Sequence, residues 1–329
     1  MSLARTGACC FVGLTGKIMS DTLSDLRRKI DSLDDRVHDL LMERADLIAR
    51  VAAAKKEAGL PVVAPAREAV MIRRLMARHR PPLPKAAVIR IWRELVGAVT
   101  LLQNDVRVAV AVPEKAPALW DLAKDYFGSM IPMTRMANPL TAVSQVREGG
   151  ATFAVLPWPE DEEDNPWWIY LDGSESARSM KIVARLPHGD RTDPGAPDSS
   201  WRALVVAAIP FEPTEEDRSF VILTSDQSLS RARIVGACRD EDLPVLSVNT
   251  RRGTGPGLRA AHLIEMDRYL TDDDSRIVAL VRKLEDAGAV SLCVGGYSVP
   301  PVCESWTPVP ESAPRPPARR KTGVTPEKT

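Results

Sequence analysis

With 329 residues, 44 basic and 44 acidic side chains and zero formal charge, the chain has room for two or three domains and no excess of either sign. That balance argues against a nucleic-acid surface as its main business, and no apolar run approaches the roughly 20 residues that span a bilayer. The cysteines Cys9, Cys10, Cys238, Cys293 and Cys303 are odd in number and lack CxxC spacing, so neither a disulfide framework nor a zinc site is indicated and a reducing cytoplasm fits.

Residues 1–18 hold a short, glycine-broken apolar patch behind Arg5, a poor signal peptide. Ser20 and Asp21, good N-cap types, follow Met19, and the helical period starts at once, so translation is expected to begin at Met19 behind an unstructured leader. A long helix is expected over 21–57, a second over 66–78 and, after Pro81, Pro82 and Pro84, a third over 85–104. In the first, Leu26, Ile30, Leu33, Val37, Leu40, Leu41, Leu47, Ile48 and Val51 recur at spacings of three and four, a stripe to be buried. A helix this long has too little partner surface in its own domain, so intertwined dimerisation is expected to cover it.

Arg44 interrupts the stripe, and a guanidinium buried without an anion costs several kcal/mol, so a carboxylated ligand is the economical reading. Lys55 follows eleven residues on, close to three turns and ~16 Å along the axis, so both stems can converge on one small dianion. Arg27 lies seventeen residues before Arg44, ~25 Å along the axis and roughly a quarter turn off that face. If it serves the same site it must come from a second copy of the chain.

From Val106 the period changes. VRVAVAV reads as a strand, then a helical EKAPALWDLAKDYF, a short strand near MTRMA, a helix at PLTAVSQVREG and the strand ATFAVLP, an α/β alternation with partly parallel pairing over 105–214. Residues 215–303 read strand, helix, strand, strand, helix, strand, a ferredoxin-like βαββαβ module. The proline-rich, polar stretch 304–329 reads as a disordered tail. The tryptophans Trp158, Trp167 and Trp168 suit either core or interface. The histidines have no partner at catalytic spacing, and the acidic run 160–164 lacks the glycine and terminal glutamate of a calcium loop, so no metal is expected.

The pattern LRxxIDxLDxxxxxLLxxR with a lysine three turns on, Arg67-Glu68 opening the second helix and Gln103 closing the third together resemble the all-helical class of chorismate mutases over 19–104. One departure is Ala64, where that family often has aspartate. The resemblance implies an isomerase of aromatic amino-acid biosynthesis that turns chorismate into prephenate without cofactor or metal. It further implies a homodimer with shared active sites. Arg44 and the partner copy's Arg27 would hold the substrate carboxylates, Lys55 and Gln103 would donate to the ether oxygen, Glu68 would accept from the hydroxyl, and Arg67 would support the site electrostatically.

The layout of 105–214 resembles the first lobe of prephenate dehydratases, and 215–303 resembles their ACT module. The matching motif positions read Val112-Pro113-Glu114-Lys115, Pro157-Trp158-Pro159-Glu160 and Arg218-Ser219-Phe220, away from the family motifs, so a degenerate region without dehydratase activity is expected. In the module, Leu229-Ser230-Arg231 and Val294-Gly295-Gly296-Tyr297 keep the likeness, which implies a small-molecule effector. Asn249-Thr250-Arg251-Arg252 replaces the effector motif and speaks against phenylalanine. Two other readings stay open: a bifunctional mutase–dehydratase, and a non-catalytic helical dimerisation module joined to a small-molecule sensor.

Overall fold

The computed structural model describes residues 22–61, 63–103, 105–171, 179–191, 202–251 and 259–303. The leader 1–18, the tail 304–329 and Arg252 of the module's replaced motif lie outside the described residues. Among the described residues no helix is long and apolar enough to cross a membrane.

Helix α1 runs Leu23–Glu57 and forms one compact unit with the residues up to Gly59. Its cap is Thr22, just beyond the N-cap types Ser20 and Asp21. The Thr22 hydroxyl accepts from the Asp25 N–H at 3.2 Å and the Thr22 N–H donates to the Asp25 carboxylate at 3.2 Å, so two orphan donors of the first turn are satisfied reciprocally. Lys55 and Lys56 in the last turn suit the negative end of the helix dipole. The stripe is not buried within the single chain. Leu26, Ile30, Leu33, Val37, Leu40 and Val51 are each 44–62 % exposed, and α1 has no buried residue.

The second unit, from Leu60 onward, begins with α2 (Pro65–Arg78) and α3 (Lys85–Leu101). Pro65 supplies a pre-set φ at the start of α2, but Ala64 at the N-cap offers no side-chain acceptor. Ile72 and Met76 of α2 pack on Ile89 of α3 and on Cys303.

The α/β part follows with β1 (Val108–Ala111), α4 (Leu119–Phe127), β2 (Met133–Met136), α5 (Pro139–Arg147) and β3 (Phe153–Pro157). These match the expected alternation element by element. A short 3-10 helix (Trp167–Leu171), β4 (Lys181–Leu186), β5 (Asp190–Arg191) and β6 (Ala203–Ala207) come next. The module is β7 (Asp217–Ser225), α6 (Arg231–Asp240), β8 (Val245–Thr250), β9 (Ala260–Met266), α7 (Ser275–Lys283) and β10 (Val290–Ser298), and β11 (Val302–Cys303) closes the described chain against β5.

Nine strands form one sheet in the order β2-β1-β3-β6-β4-β10-β7-β9-β8. β1 lies parallel between β2 and β3, β6 runs antiparallel between β3 and β4, and the last four strands are antiparallel neighbours in the ferredoxin-like order. The two parts meet where Gly295 of β10 pairs parallel with Ile182 of β4. A side chain at Gly295 (φ +90°) would lie 2.2 Å from the Ile182 carbonyl oxygen, so this junction requires glycine.

β1 is buried on both faces, as a parallel central strand must be. Val108 and Val110 pack with α4 residues such as Leu119 and Phe127, and Ala109 and Ala111 pack with Val143 and Val146 of α5. Helices α6 and α7 cover one face of the module. The other face, with Phe220, Leu263 and Tyr297, shares a core with Trp158, Trp167 and Trp168, so the tryptophans are core residues that weld the module to the α/β part.

Helix α3 crosses α4 closely, because Gly97 lets the backbones touch: a Cβ there would sit 2.1 Å from the Phe127 carbonyl oxygen. Glu94 accepts from the Ser129 N–H at 2.8 Å, and Arg90 donates to Asp125 at 2.5 Å. Gly97→Ala is therefore expected to destabilise the protein by about 1–3 kcal/mol, the usual cost of overpacking, read as a lower midpoint in urea or thermal melts. An unchanged midpoint would show that α3 and α4 can separate freely.

Candidate functional site

The residues singled out in the sequence fall on two units, each described by itself. On α1, Arg27 is exposed while Arg44 and Lys55 are half-buried. Loss of hydration pushes the Arg44 guanidinium below its ordinary pKa, as expected for a cation drawn out of water. In the second unit, Arg67 is exposed on the first turn of α2 and Glu68 beside it is half-buried. Gln103 follows the end of α3 in a turn where its N–H donates to the Thr100 carbonyl at 3.1 Å.

Glu68 is the centre of a built constellation. Its Oε2 accepts from Arg93 Nη2 at 2.7 Å. Arg93 is 1 % exposed, and its guanidinium lies over the Tyr126 ring, 4.2 Å from the centroid. Among the described residues its Nε has no hydrogen-bond partner, so the Glu68 contact and the ring face carry most of its compensation. Burial pushes the Tyr126 phenol up to about 12, an effect that Arg93 opposes and Glu68 reinforces. His188 packs edge-on against Tyr126 at 5.5 Å between centroids. Burial first, then the charges of Arg93 and Arg73, hold its imidazole well below the ordinary value of 6.5, so it stays neutral. A shallow cleft beside this group is lined by Glu68, Gly97 and Thr100 from the helices and by Tyr126, Phe127 and Phe153 from the α/β part.

Arg93, Tyr126 and His188 escaped the sequence reading, although Arg93 carries a legible signal. Ile89, Arg93 and Gly97, spaced by four, are the buried residues of α3, so Arg93 interrupts an apolar line as Arg44 does on α1. Tyr126 and His188 reach the site through long-range packing and leave no such trace.

The positions that depart from the dehydratase motifs are engaged within the fold. Lys115, after β1, lies 3.5 Å from Glu160, after β3, in an exposed pair. Arg218 donates to Asp267 at 3.0 Å and to the Tyr297 hydroxyl at 3.3 Å, the Ser219 hydroxyl accepts from the Leu270 N–H at 2.9 Å, and Phe220 is core. In the module, Asn249 donates to the Pro159 carbonyl at 2.7 Å and the Thr250 N–H donates to Asp161 at 2.9 Å.

Comparison with known proteins gives residues 26–104 as a match to the family model for chorismate mutase type II. The chain is 33 % identical over 146 residues to a bifunctional chorismate mutase/prephenate dehydratase of Pseudomonas aeruginosa, and 28 % identical over 141 residues to one of Aquifex aeolicus. Each match covers 42 % of this chain and 39 % of the relative, so the chain spans about two fifths of the length of the curated relatives it matches. The solved prephenate dehydratase of Streptococcus mutans aligns with 61 % of this chain and all of its own at 15 % identity and a TM-score of 0.41, too distant to carry an argument.

The neutral His188 sets the sign of a pH effect. Its folded pKa lies below the unfolded one, so beneath pH 6.5 the unfolded chain binds a proton that the fold refuses, and stability declines as pH falls through and below that value. His188→Gln should shrink the drop in melting temperature between about pH 7.5 and about pH 5.5, since it removes this proton uptake from the unfolded state. An identical drop in the variant would assign the acid sensitivity elsewhere.

Proposed function

We propose that the chorismate mutase type II domain at residues 26–104 is catalytic, converting chorismate to prephenate, and that it works as an intertwined homodimer with shared active sites. The observation that carries the reading is α1 itself. Arg44 and Lys55 are drawn partly out of water while Leu47 and Val51 between them stand half open, so this helix presents cations and an uncovered apolar stripe together. A second copy of α1 covers such a stripe and brings its own Arg27 to a site that this chain's Arg27 cannot reach along its own helix.

The rearrangement is a one-molecule pericyclic step that needs no nucleophile. Its barrier falls when the reactive conformer is held and when negative charge growing on the breaking ether oxygen is met by donors already in place. Arg44 and the partner copy's Arg27 grip the two carboxylates, bidentate where geometry permits. Lys55 and Gln103 donate to the ether oxygen, Glu68 accepts from the ring hydroxyl and Arg67 adds positive potential. A millionfold acceleration needs about 8 kcal/mol. One donor aimed at developing charge supplies about 3 kcal/mol, so two donors with conformer selection suffice.

The α/β part is read as a relative of the dehydratases that does not dehydrate prephenate, on the strength of its replaced motifs at 112–115 and 157–160 and of the one at 218–220 in β7 of the module. Its module is read as lacking a phenylalanine site, because Asn249 and Thr250 are taken up by the 159–161 loop. Phenylpyruvate formed from prephenate by the pure protein would replace this with the bifunctional reading.

Lys55→Ala should lower kcat on chorismate by about a hundred- to a thousandfold while leaving the assembly intact, the loss typical of a donor aimed at transition-state charge. Near-normal turnover would remove Lys55 from the site. Arg27→Ala and Arg44→Ala chains, each inactive alone, should regain part of their activity on mixing, because a heterodimer restores one complete site. Confirmed subunit exchange without recovery would exclude sharing.

A further inference from the structure

We infer that Arg93 is the positioning residue for Glu68, and that Tyr126, supplied by the α/β part, holds Arg93 in place, so that the α/β part is a component of the mutase site. The inference rests on the mutase reading and deepens it, giving the non-helical part of the chain a function there.

Three observations carry it. Arg93 is a fully buried cation whose carboxylate partner, Glu68 at 2.7 Å, is the residue assigned to the substrate hydroxyl. A carboxylate that must accept from a substrate at one position needs its own orientation fixed, and a guanidinium held by burial fixes it better than water does. The guanidinium is in turn confined by the Tyr126 ring at 4.2 Å. That ring cannot drift from α3, because the same crossing is clamped by the Gly97–Phe127 backbone approach, by Glu94 with Ser129 and by Arg90 with Asp125. Finally, the cleft beside Glu68 takes part of its wall from Tyr126, Phe127 and Phe153, none of which belongs to the three helices.

The side chains facing Arg93 are Glu68, Tyr126 and His188, and His188 is kept neutral, so the only opposite charge the site offers the guanidinium among them is Glu68. Arg93 thus acts through Glu68.

The test is a double-mutant cycle on the full chain, with initial rates on chorismate and melting temperature recorded for each variant. Arg93→Gln should lower kcat/KM about a hundredfold, the scale of a 1 Å misplacement at a reacting centre. In a Glu68→Gln background the same change should cost no more than about twofold, because two residues that act as one unit are not additive. Arg93→Lys keeps the charge without the planar fork and should recover part of the loss. Tyr126→Phe, which keeps the ring face, should lose less than Tyr126→Leu, which should fall with Arg93→Gln.

Equal losses from Arg93→Gln in both backgrounds would make Arg93 a general support and overturn the inference, as would a folded Arg93→Gln or Tyr126→Leu protein at full kcat/KM. Should Arg93→Gln fail to fold, Arg93→Lys and Tyr126→Phe against Tyr126→Leu decide instead: Lys at parental kcat/KM together with Leu at parental kcat/KM overturns it, and the expected ordering supports it. Failure of the mutase reading looks different, since then the parent protein leaves chorismate unchanged or Glu68→Gln retains full activity, and the inference falls with it.

Discussion

A guanidinium sealed from water is an expensive object, and the placing of Arg93 constrains most of what surrounds it. Losing one partner of such a pair costs about 3–5 kcal/mol, because the other charge is then left buried alone. Glu68 must therefore stay on the first turn of α2, Tyr126 must stay under the cation, and His188 must remain uncharged beside two arginines. Each requirement ties a different stretch of chain to the others. The helices α2 and α3 consequently sit on the α/β part as one body, with Gly97 setting how close they come.

Helix α1 obeys the opposite logic. It has a satisfied capping box, a favourable dipole and cations on one face, yet nothing within its own unit buries its apolar stripe. Local chemistry makes it a helix, whereas its packing is left to another surface. The chain thereby keeps two kinds of surface apart, with cations and an open apolar stripe on α1 and a sealed ion pair between α2 and α3.

The sequence was legible wherever structure follows from local pattern. The 3.6-residue period set α1 to α3 within a few residues, and the alternation after Val106 set β1, α4, β2, α5 and β3. The βαββαβ order of the module followed from six patterned segments, and its strand order is what that connectivity demands. By contrast β4 and β6 were not read. KIVARL and ALVVA are short apolar runs whose period fits a buried helix as well as a strand, and only pairing across the sheet decides. The same limit hid Tyr126 and His188 and left the three tryptophans undecided between core and interface. Arg93 was the avoidable omission, since the reasoning that picked out Arg44 applies to it unchanged. The stripe of α1 was expected to be buried, and in the single chain it is not, because no residue of its own unit packs over it.

The seam between β4 and β10 has a consequence for anyone who would cut this protein into cassettes. A ferredoxin-like module excised at residue 215 would carry β10 as a raw border, its backbone groups bare where Ile182 now pairs with Gly295 and the Lys181 ammonium now reaches the Cys293 carbonyl. Unprotected borders recruit other strands, so the severed piece would tend to polymerise. The module is better regarded as the far half of one continuous sheet than as a portable sensor, and grafts onto other proteins should carry β4 and β6 along with it.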